Sequence, residues 1–368
     1  MKILHLVDAF DHCDGCARHV FFLAREQKRA GNEVMVCAGK GTAFELLERE
    51  GIEWHAERAI AHAHRSAVGF WRGILRLRRL IQSWHPSVIH AHHYYCSAQA
   101  AVARFATPAK TVMTVHAKIA GRGLLPLASG DRIIAVSGAT LDFIRDVEPS
   151  AAARSVRIPN SSGFLEPGNG TDDTRSFQRM LVSKEKKYLL LFIGRLVEEK
   201  GVWVLYDALE QIRGEFPLVC CVAGTGTLDR ALASAAERRE LPVVLMGEVQ
   251  NIKPALDLAD IVIQPSLNSE GMPMAILEAG LAGRAVIASR TDGIPEVVSD
   301  METGLLVSPG RPEELANAIR LLLRDQVLRT RLGTNLKKSL ASRNDVRAMG
   351  EAVAEVYRSA LGGTDTSR

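Results

Sequence analysis

The chain has 368 residues, 47% of them hydrophobic and 24% charged, with six cysteines and a formal net charge of +4. This length predicts two domains that bury roughly three quarters of the unfolded surface, and the composition excludes a disordered, collagen-like or coiled-coil chain. No apolar run approaches the ~20 residues of a membrane-spanning helix, and the opening run over 3–7, ended by Asp8, is too short for the core of a signal peptide.

In chain order, the pattern predicts a strand over 3–7, a helix over 17–30 closed by Gly31, a strand over 33–38 and a helix over 43–49. A longer helix over 69–84 follows, then strands over 88–91, 111–115 and 132–136. Residues 161–187 carry Gly163, Pro167, Gly168 and Gly170 with few large apolar side chains, which reads as a linker. The alternation restarts at Tyr188, with strands expected over 189–193, 218–223, 243–246, 261–264 and 285–289. Helices over 313–324, 327–340 and 345–360 and a polar tail close the chain. Strands separated by helices predict parallel sheets covered on both faces. The expected organisation is therefore two doubly wound α/β domains, 1–165 and 188–344, joined by a linker over 166–187.

The charge is unevenly placed. Residues 1–160 hold 21 Lys and Arg against 14 Asp and Glu, a balance of +7, and the remainder holds 25 against 28, a balance of −3. No carboxylate occurs between Glu57 and Asp131, whereas Arg58, Arg65, Arg72, Arg76, Arg78, Arg79, Arg104, Lys110, Lys118 and Arg122 do, and all eleven histidines lie at or before His116. Such a field favours an anionic partner: a phosphate-bearing substrate, a membrane surface or nucleic acid. Nucleic acid is set aside because no reader motif accompanies the charge. The cysteines, two of them adjacent at Cys220 and Cys221, form no disulfide framework and indicate a reducing compartment, the cytoplasm.

Two stretches carry candidate chemistry. Glu270-Gly271-Met272-Pro273-Met274 follows the predicted strand over 261–264, the place where open α/β sheets bind ligands. Pro273 suits the first position of a helix, and the backbone N–H groups at that positive helix end suit a phosphate or a sugar hydroxyl. Glu270 on the loop and Glu278 one turn into the helix can grip two polyol groups; equally, both acids can simply favour the helix dipole. Gly194-Arg195 through Lys200-Gly201 follows the strand over 189–193, and its two cations can flank one diphosphate or belong to a solvated, nearly balanced loop.

Gly194-Arg195, Lys200-Gly201, Ser269-Glu270-Gly271-Met272-Pro273, Glu278-Ala279, Asp292-Gly293-Ile294-Pro295-Glu296 and Thr303-Gly304-Leu305-Leu306-Val307 together resemble the retaining glycosyltransferases of family GT4, with the two glutamates at the family's E-x7-E spacing. The front half is similar as well, through the loop Asp14-Gly15-Cys16-Ala17-Arg18-His19, the strand Val88-Ile89-His90-Ala91-His92 and the segment Thr114-Val115-His116. It departs from the family at Asp14, where a second glycine is usual, at Ala17, where glutamate is frequent, and at Asn160-Ser161-Ser162, where Asn-Gly-Val is common.

The resemblance implies the GT-B architecture, two Rossmann-like domains facing across a cleft, with the last helix, about 345–360, returning to the first domain. It implies that Arg195 and Lys200 neutralise a donor diphosphate and that Glu278 binds the nucleotide ribose. Glu270 with Gly271, Met272, Pro273 and Met274 would hold the donor sugar, and His116 would act with Glu270 at the reacting centre. Gly15 would lie on the donor side, with Arg18 and His92 on the acceptor side.

The expected activity is metal-independent, cofactor-free transfer from a nucleotide sugar to a saccharide or a lipid-linked anionic acceptor, with peripheral contact to the inner face of the cell membrane. The pathway class expected is polysaccharide, lipopolysaccharide or glycolipid synthesis. A UDP-sugar is favoured as donor, although base contacts from the backbone of 247–251 do not name a base. The rival readings are a GT-B nucleotide-sugar epimerase and a non-catalytic nucleotide-sugar-binding subunit.

Other signals remain open. Cys13 and Cys16 beside His12 and His19 have no second cysteine pair with metal spacing. His90, His92 and His93 fit acceptor contacts, metal ligands or plain strand-end residues. Phe70, Ile74, Leu77, Ile81 and Trp84 fit the buried face of a helix packed on the sheet, with Arg72, Arg76 and Arg79 on other faces.

Overall fold

A computed structural model describes residues 1–62, 66–119, 129–164 and 188–362. Arg65, Arg122, the linker expected over 166–187 and the tail from 363 lie outside the described residues. The chain divides into two compact units, Met1–Ser161 with Asp345–Arg368, and Ser162–Asn344. The boundary thus falls at Ser161 rather than 165.

The first unit is built on seven parallel strands, β1 (Lys2–Val7), β2 (Glu33–Ala38), β3 (Glu53–Ala56), β4 (Val88–Ala91), β5 (Lys110–Val115), β6 (Arg132–Ala135) and β7 (Ser155–Arg157). Their order across the sheet is β3-β2-β1-β4-β5-β6-β7. Helices α1 (Gly15–Arg29), α2 (Phe44–Arg49), α3 (Ala67–Trp84), α4 (Tyr94–Ala103) and α5 (Gly138–Val147) connect them. α1 starts at Gly15, earlier than residue 17, because the Asp14 carboxylate caps it, accepting from Cys16 N at 2.7 Å. The aspartate that departs from the family pattern is therefore a helix cap. α3 starts at Ala67 because Ser66 caps it through Gly69 N, and it buries Ile74, Leu77 and Ile81 as its period requires.

The last helix, Val346–Ala360, belongs to this unit. Its Met349, Val353, Val356 and Tyr357 are buried in one cluster with Ile3 of β1, Leu23 of α1, Val88 of β4 and Val112 of β5. The paired strands set His5 of β1 directly opposite His90 of β4, so their side chains leave the same face of the sheet.

The second unit has six parallel strands, β8 (Tyr188–Ile193), β9 (Leu218–Ala223), β10 (Val243–Gly247), β11 (Ile261–Gln264), β12 (Ala285–Ser289) and β13 (Leu305–Val307), in the order β10-β9-β8-β11-β12-β13. Its helices are α6 (Val202–Gln211), α7 (Asp229–Arg238), α8 (Lys253–Leu258), α9 (Met274–Leu281), α10 (Pro312–Arg324) and α11 (Gln326–Ala341). Leu190, Phe192, Val222, Ile263 and Ile287 of the sheet meet Leu205 and Leu209 of α6 and Leu315, Ile319 and Leu322 of α10 in the core.

Each sheet grows outward from its first strand in one direction and then returns to grow in the other. The reversal lies between β1 and β4 in the first unit and between β8 and β11 in the second. The loops leaving the carboxyl ends of those strands diverge there and leave a crevice, which makes both places binding positions. Three strands were not anticipated, β3, β7 and β13, and each is a sheet edge. All four residues of β3 are exposed, so no apolar pattern marks it.

Candidate active site

In the second unit, the loop after β8 and the loop after β11 meet at the reversal point. Gly201, at φ 66°, closes a single 3₁₀ turn over Glu198–Lys200. A Cβ at this position would lie 1.9 Å from the carbonyl oxygen of Pro265, so only glycine lets the two loops approach so closely. Leu267 N donates to Glu199 O at 2.8 Å and fastens them together.

This approach brings Lys200 Nζ to 2.6 Å from Glu270 Oε1. The same oxygen accepts from Ser266 Oγ at 2.6 Å and from Gln264 Nε2 at 3.1 Å. Glu270 is only 4% exposed, and three donors on one oxygen offset the cost of burying its charge. Its backbone is fixed too, N donating to Asp292 Oδ2 at 3.2 Å and O accepting from Gly293 N at 3.0 Å. Glu270 Oε2 makes no hydrogen bond to a described residue and is the oxygen left for a ligand.

Beyond it, Gly271, Met272, Pro273 and Met274 are buried. α9 begins at Met274, with Pro273 at its N-cap rather than its first helical position, and no side chain caps this end. Its backbone donors are therefore not satisfied by a capping side chain, the arrangement that suits an anion or a hydroxyl oxygen. Glu278, one turn in, is buried, and its Oε1 accepts from Ser162 Oγ at 3.3 Å. Asn344 holds the Ser162 backbone through two bonds, its Oδ1 accepting from Ser162 N at 2.8 Å and its Nδ2 donating to Ser162 O at 2.7 Å. Arg195 is exposed, and its guanidinium forms no ion pair or hydrogen bond among the described residues. The two expected cations thus differ: Lys200 is paired with Glu270, and Arg195 has no ion-pair partner among the described residues.

In the first unit, histidines gather at the other reversal point. His5 Nδ1 lies 3.0 Å from His92 Nε2, and His92 Nδ1 lies 3.0 Å from His116 Nε2. At the inner end, His5 Nε2 meets Gln27 Oε1 at 2.7 Å, and Gln27 Nε2 donates to Tyr357 OH at 3.0 Å. Tyr357 OH also lies 2.7 Å from His90 Nδ1, whose Nε2 is 2.7 Å from Thr114 Oγ1. The strand ends at Ala91, yet His92 stays in line because its N donates to Leu6 O at 2.9 Å; the His90 and His92 rings sit 4.2 Å apart. His19 of α1 packs edge-on to His116 at 4.8 Å.

Burial disfavours charge on all of these rings. It pushes the His116 imidazole down to about 3, with His93 adding repulsion, and the His5 imidazole down to about 4 despite its bond to Gln27. His19, His90 and His92 are likewise held well below the ordinary value by burial and by one another. The cluster is neutral at pH 7.

The structure brings His92 and His116 together. Gly15 is exposed as the first residue of α1, and Arg18, half-buried on the same helix, lies over the Phe22 ring at 5.9 Å. Among the described residues two three-residue groups have metal-ligand chemistry, Cys16 with His92 and His116, and His5 with His90 and His92. In both, facing imidazole nitrogens are already joined by hydrogen bonds. Cys13 belongs to neither group. Gln264, Ser266, Ser162 and Asn344 around the glutamates, and Gln27, Thr114 and Tyr357 around the histidines, were not anticipated. Gln264 and Ser266 had a usable signal, since both flank Pro265 at the carboxyl end of a predicted strand.

Comparison with known proteins agrees with both halves. The family model for "Glycosyltransferase Family 4" matches residues 13–161, and that for "Glycosyl transferases group 1" matches residues 187–325. The chain is 29% identical to a glycogen synthase of Mycobacterium tuberculosis over 385 aligned positions, 95% of this chain and 92% of the relative. It is 28% identical to a phosphatidyl-myo-inositol mannosyltransferase of Mycobacterium leprae, over 88% of this chain and 87% of the relative. Among solved structures, Anabaena HepE in complex with UDP and glucose superposes with a TM-score of 0.81 at 21% identity, over 98% of this chain and 100% of that one. Two parallel α/β domains of this order are the GT-B fold, and with family matches across both of them the chain belongs to the glycosyltransferases of family 4.

Proposed function

We propose that this glycosyltransferase moves a sugar from a nucleotide-sugar donor, a UDP-sugar in the first instance, to a saccharide or lipid-linked acceptor with retention of configuration. The observation that carries the reading is Glu270, clamped by Lys200, Ser266 and Gln264 through one oxygen while the other stays open. Following it in the chain is the start of α9 without a side-chain cap, and the loop after β8 carries Arg195, which has no ion-pair partner among the described residues. Breaking a glycosyl–phosphate bond develops negative charge on the leaving diphosphate. Arg195, Lys200 and the helix end stabilise that charge more in the transition state than in the ground state. These positive groups do the work often given to a metal, so transfer proceeds in EDTA.

In this reading Glu278 takes the ribose hydroxyls, and Glu270 Oε2 takes a sugar hydroxyl. Three donors on Oε1 lower the carboxylate's nucleophilicity, which favours a hydrogen-bonding role over a covalent one. His116 carries over from the family's active-site histidine, and Arg18 and His92 from its acceptor side. HepE, whose structure holds UDP and glucose, supports the choice of base.

The acceptor side is read from α3. Opposite its buried face it exposes Val68, Trp71 and Leu75, with Trp71 61% exposed, interleaved with exposed Arg72, Arg76 and Arg79. Apolar and basic side chains on one helical face suit an anionic membrane surface at the cytoplasmic side, where a lipid-linked acceptor would be presented. Among the described residues no helix is long and apolar enough to cross a membrane.

A thermal-shift panel of UDP-, GDP-, ADP- and dTDP-sugars tests the donor: the correct one at a hundred times its Kd adds about 2.7 kcal/mol. Product analysis with and without acceptor tests the reaction. An epimerised donor, or no nucleotide release at all, would replace this reading with the epimerase or the binding subunit. Co-sedimentation with anionic vesicles, lost in a Trp71→Ala, Leu75→Ser double variant, tests the surface.

A further inference from the structure

The branch from Gln27 through His5 and His92 to His116 admits only two ways of placing its protons. A neutral imidazole has one N–H and one acceptor nitrogen, so each histidine–histidine hydrogen bond fixes the tautomer of both rings at once. With Gln27 Oε1 facing His5, the His5 proton sits on Nε2, and its Nδ1 accepts from His92 Nε2–H. His92 Nδ1 then accepts from His116 Nε2–H, which leaves a lone pair on His116 Nδ1. That nitrogen makes no hydrogen bond to a described residue.

The other branch is consistent. Gln27 Nε2 donates to Tyr357 OH, the Tyr357 hydroxyl donates to His90 Nδ1, and His90 Nε2–H donates to Thr114 Oγ1. Turning the Gln27 amide round reverses every bond in both branches and puts a proton on His116 Nδ1. The branch ends on an amide rather than a carboxylate, so its inner end offers a hydrogen bond but no negative charge to an imidazolium.

We propose that Gln27 and Tyr357 are positioning residues that, through His5 and His92, set the tautomer of His116 and present its Nδ1 as an uncharged acceptor for a substrate hydroxyl. The tautomer follows from the network with Gln27 Oε1 turned to His5 and Nε2 to Tyr357, and only its use in transfer rests on the reading of His116 given above. A hydroxyl donating to Nδ1 is oriented without losing its proton, which separates this role from that of a general base.

The test is side-chain ¹⁵N NMR of the ¹⁵N-histidine-labelled full chain at pH 7.5, without added metal. His5, His92 and His116 should all carry the proton on Nε2, with Nδ1 of each unprotonated. Gln27→Met and Tyr357→Phe should each turn the His116 signal into a mixture of tautomers. In both variants kcat should fall about tenfold while the donor-induced thermal shift stays unchanged. A wild-type spectrum with the proton on His116 Nδ1 would overturn the proposal even if neither variant folds. So would an unchanged His116 signal in a folded Gln27→Met variant, or stoichiometric retention of Zn²⁺ by His92 and His116. A tautomer shift with full transfer activity would keep the positioning and remove His116 from the reacting centre.

Discussion

The two units put their polar side chains at the same topological place and use opposite physics there. Where β8 and β11 part, the second unit gathers charge: Glu270 paired with Lys200, Asp292 on the Glu270 amide, buried Glu278 and exposed Arg195. Where β1 and β4 part, the first unit gathers side chains kept uncharged: five histidines, Gln27, Tyr357 and Thr114. Strand order decides where a ligand is met, and side chains decide what it must be. A diphosphate needs fixed charge, whereas hydroxyl groups need donors and acceptors with fixed directions.

Four measurements sharpen or break this contrast. The largest effect should come from Arg195→Ala, which removes a charge with no ion-pair partner among the described residues. kcat should drop about 10²–10³-fold, with the melting temperature unchanged, as expected for a group acting only on the transition state. Equal losses of rate and stability would show that Arg195 has a structural job instead. Next, Lys200→Met leaves a buried carboxylate with one charged donor fewer and should cost roughly 1.5–3 kcal/mol in denaturant unfolding. Adding Ser266→Ala should deepen that loss more than additively, because both donate to one oxygen.

Third comes pH. His5 and His116 are neutral in the folded chain down to about 4 and about 3 but protonate near 6.5 once unfolded. Between those values the unfolded state binds the extra protons, so stability falls as pH drops below 6.5, by up to about 1.4 kcal/mol per pH unit for each ring. Chemical denaturation at pH 7, 6 and 5 should show this slope, and His5→Gln should reduce it by one proton. A flat profile would mean that the rings titrate in the folded chain as they do in the unfolded one. The smallest effect belongs to Ser162→Ala, which removes the 3.3 Å bond to Glu278. It should cost about 0.5–1.5 kcal/mol and weaken donor binding only slightly.

The central strands were legible because a parallel strand covered on both faces is a short apolar run, as in residues 188–193 or 218–223. The edge strands β3, β7 and β13 were not. An edge has one neighbour and is kept short or polar, so Glu53–Ala56 shows no apolar signal and becomes a strand only by pairing with Met35–Ala38 of β2. The site divides the same way. Arg195, Lys200, Glu270 and Glu278 stand in local motifs tied to strand ends. Tyr357 meets His90 across 267 residues and Gln27 across 330, and no local pattern marks such a partnership.

By itself the sequence determined the two α/β halves, the loops that carry charge and the family, since these depend on local periodicity and on motifs of a few residues. Only the tertiary structure decided which cation is already paired, which glutamate oxygen stays open and how the histidines are chained. Burial and hydrogen-bond direction are set by residues far apart in the chain, and those meet only when the sheets and the last helix have packed.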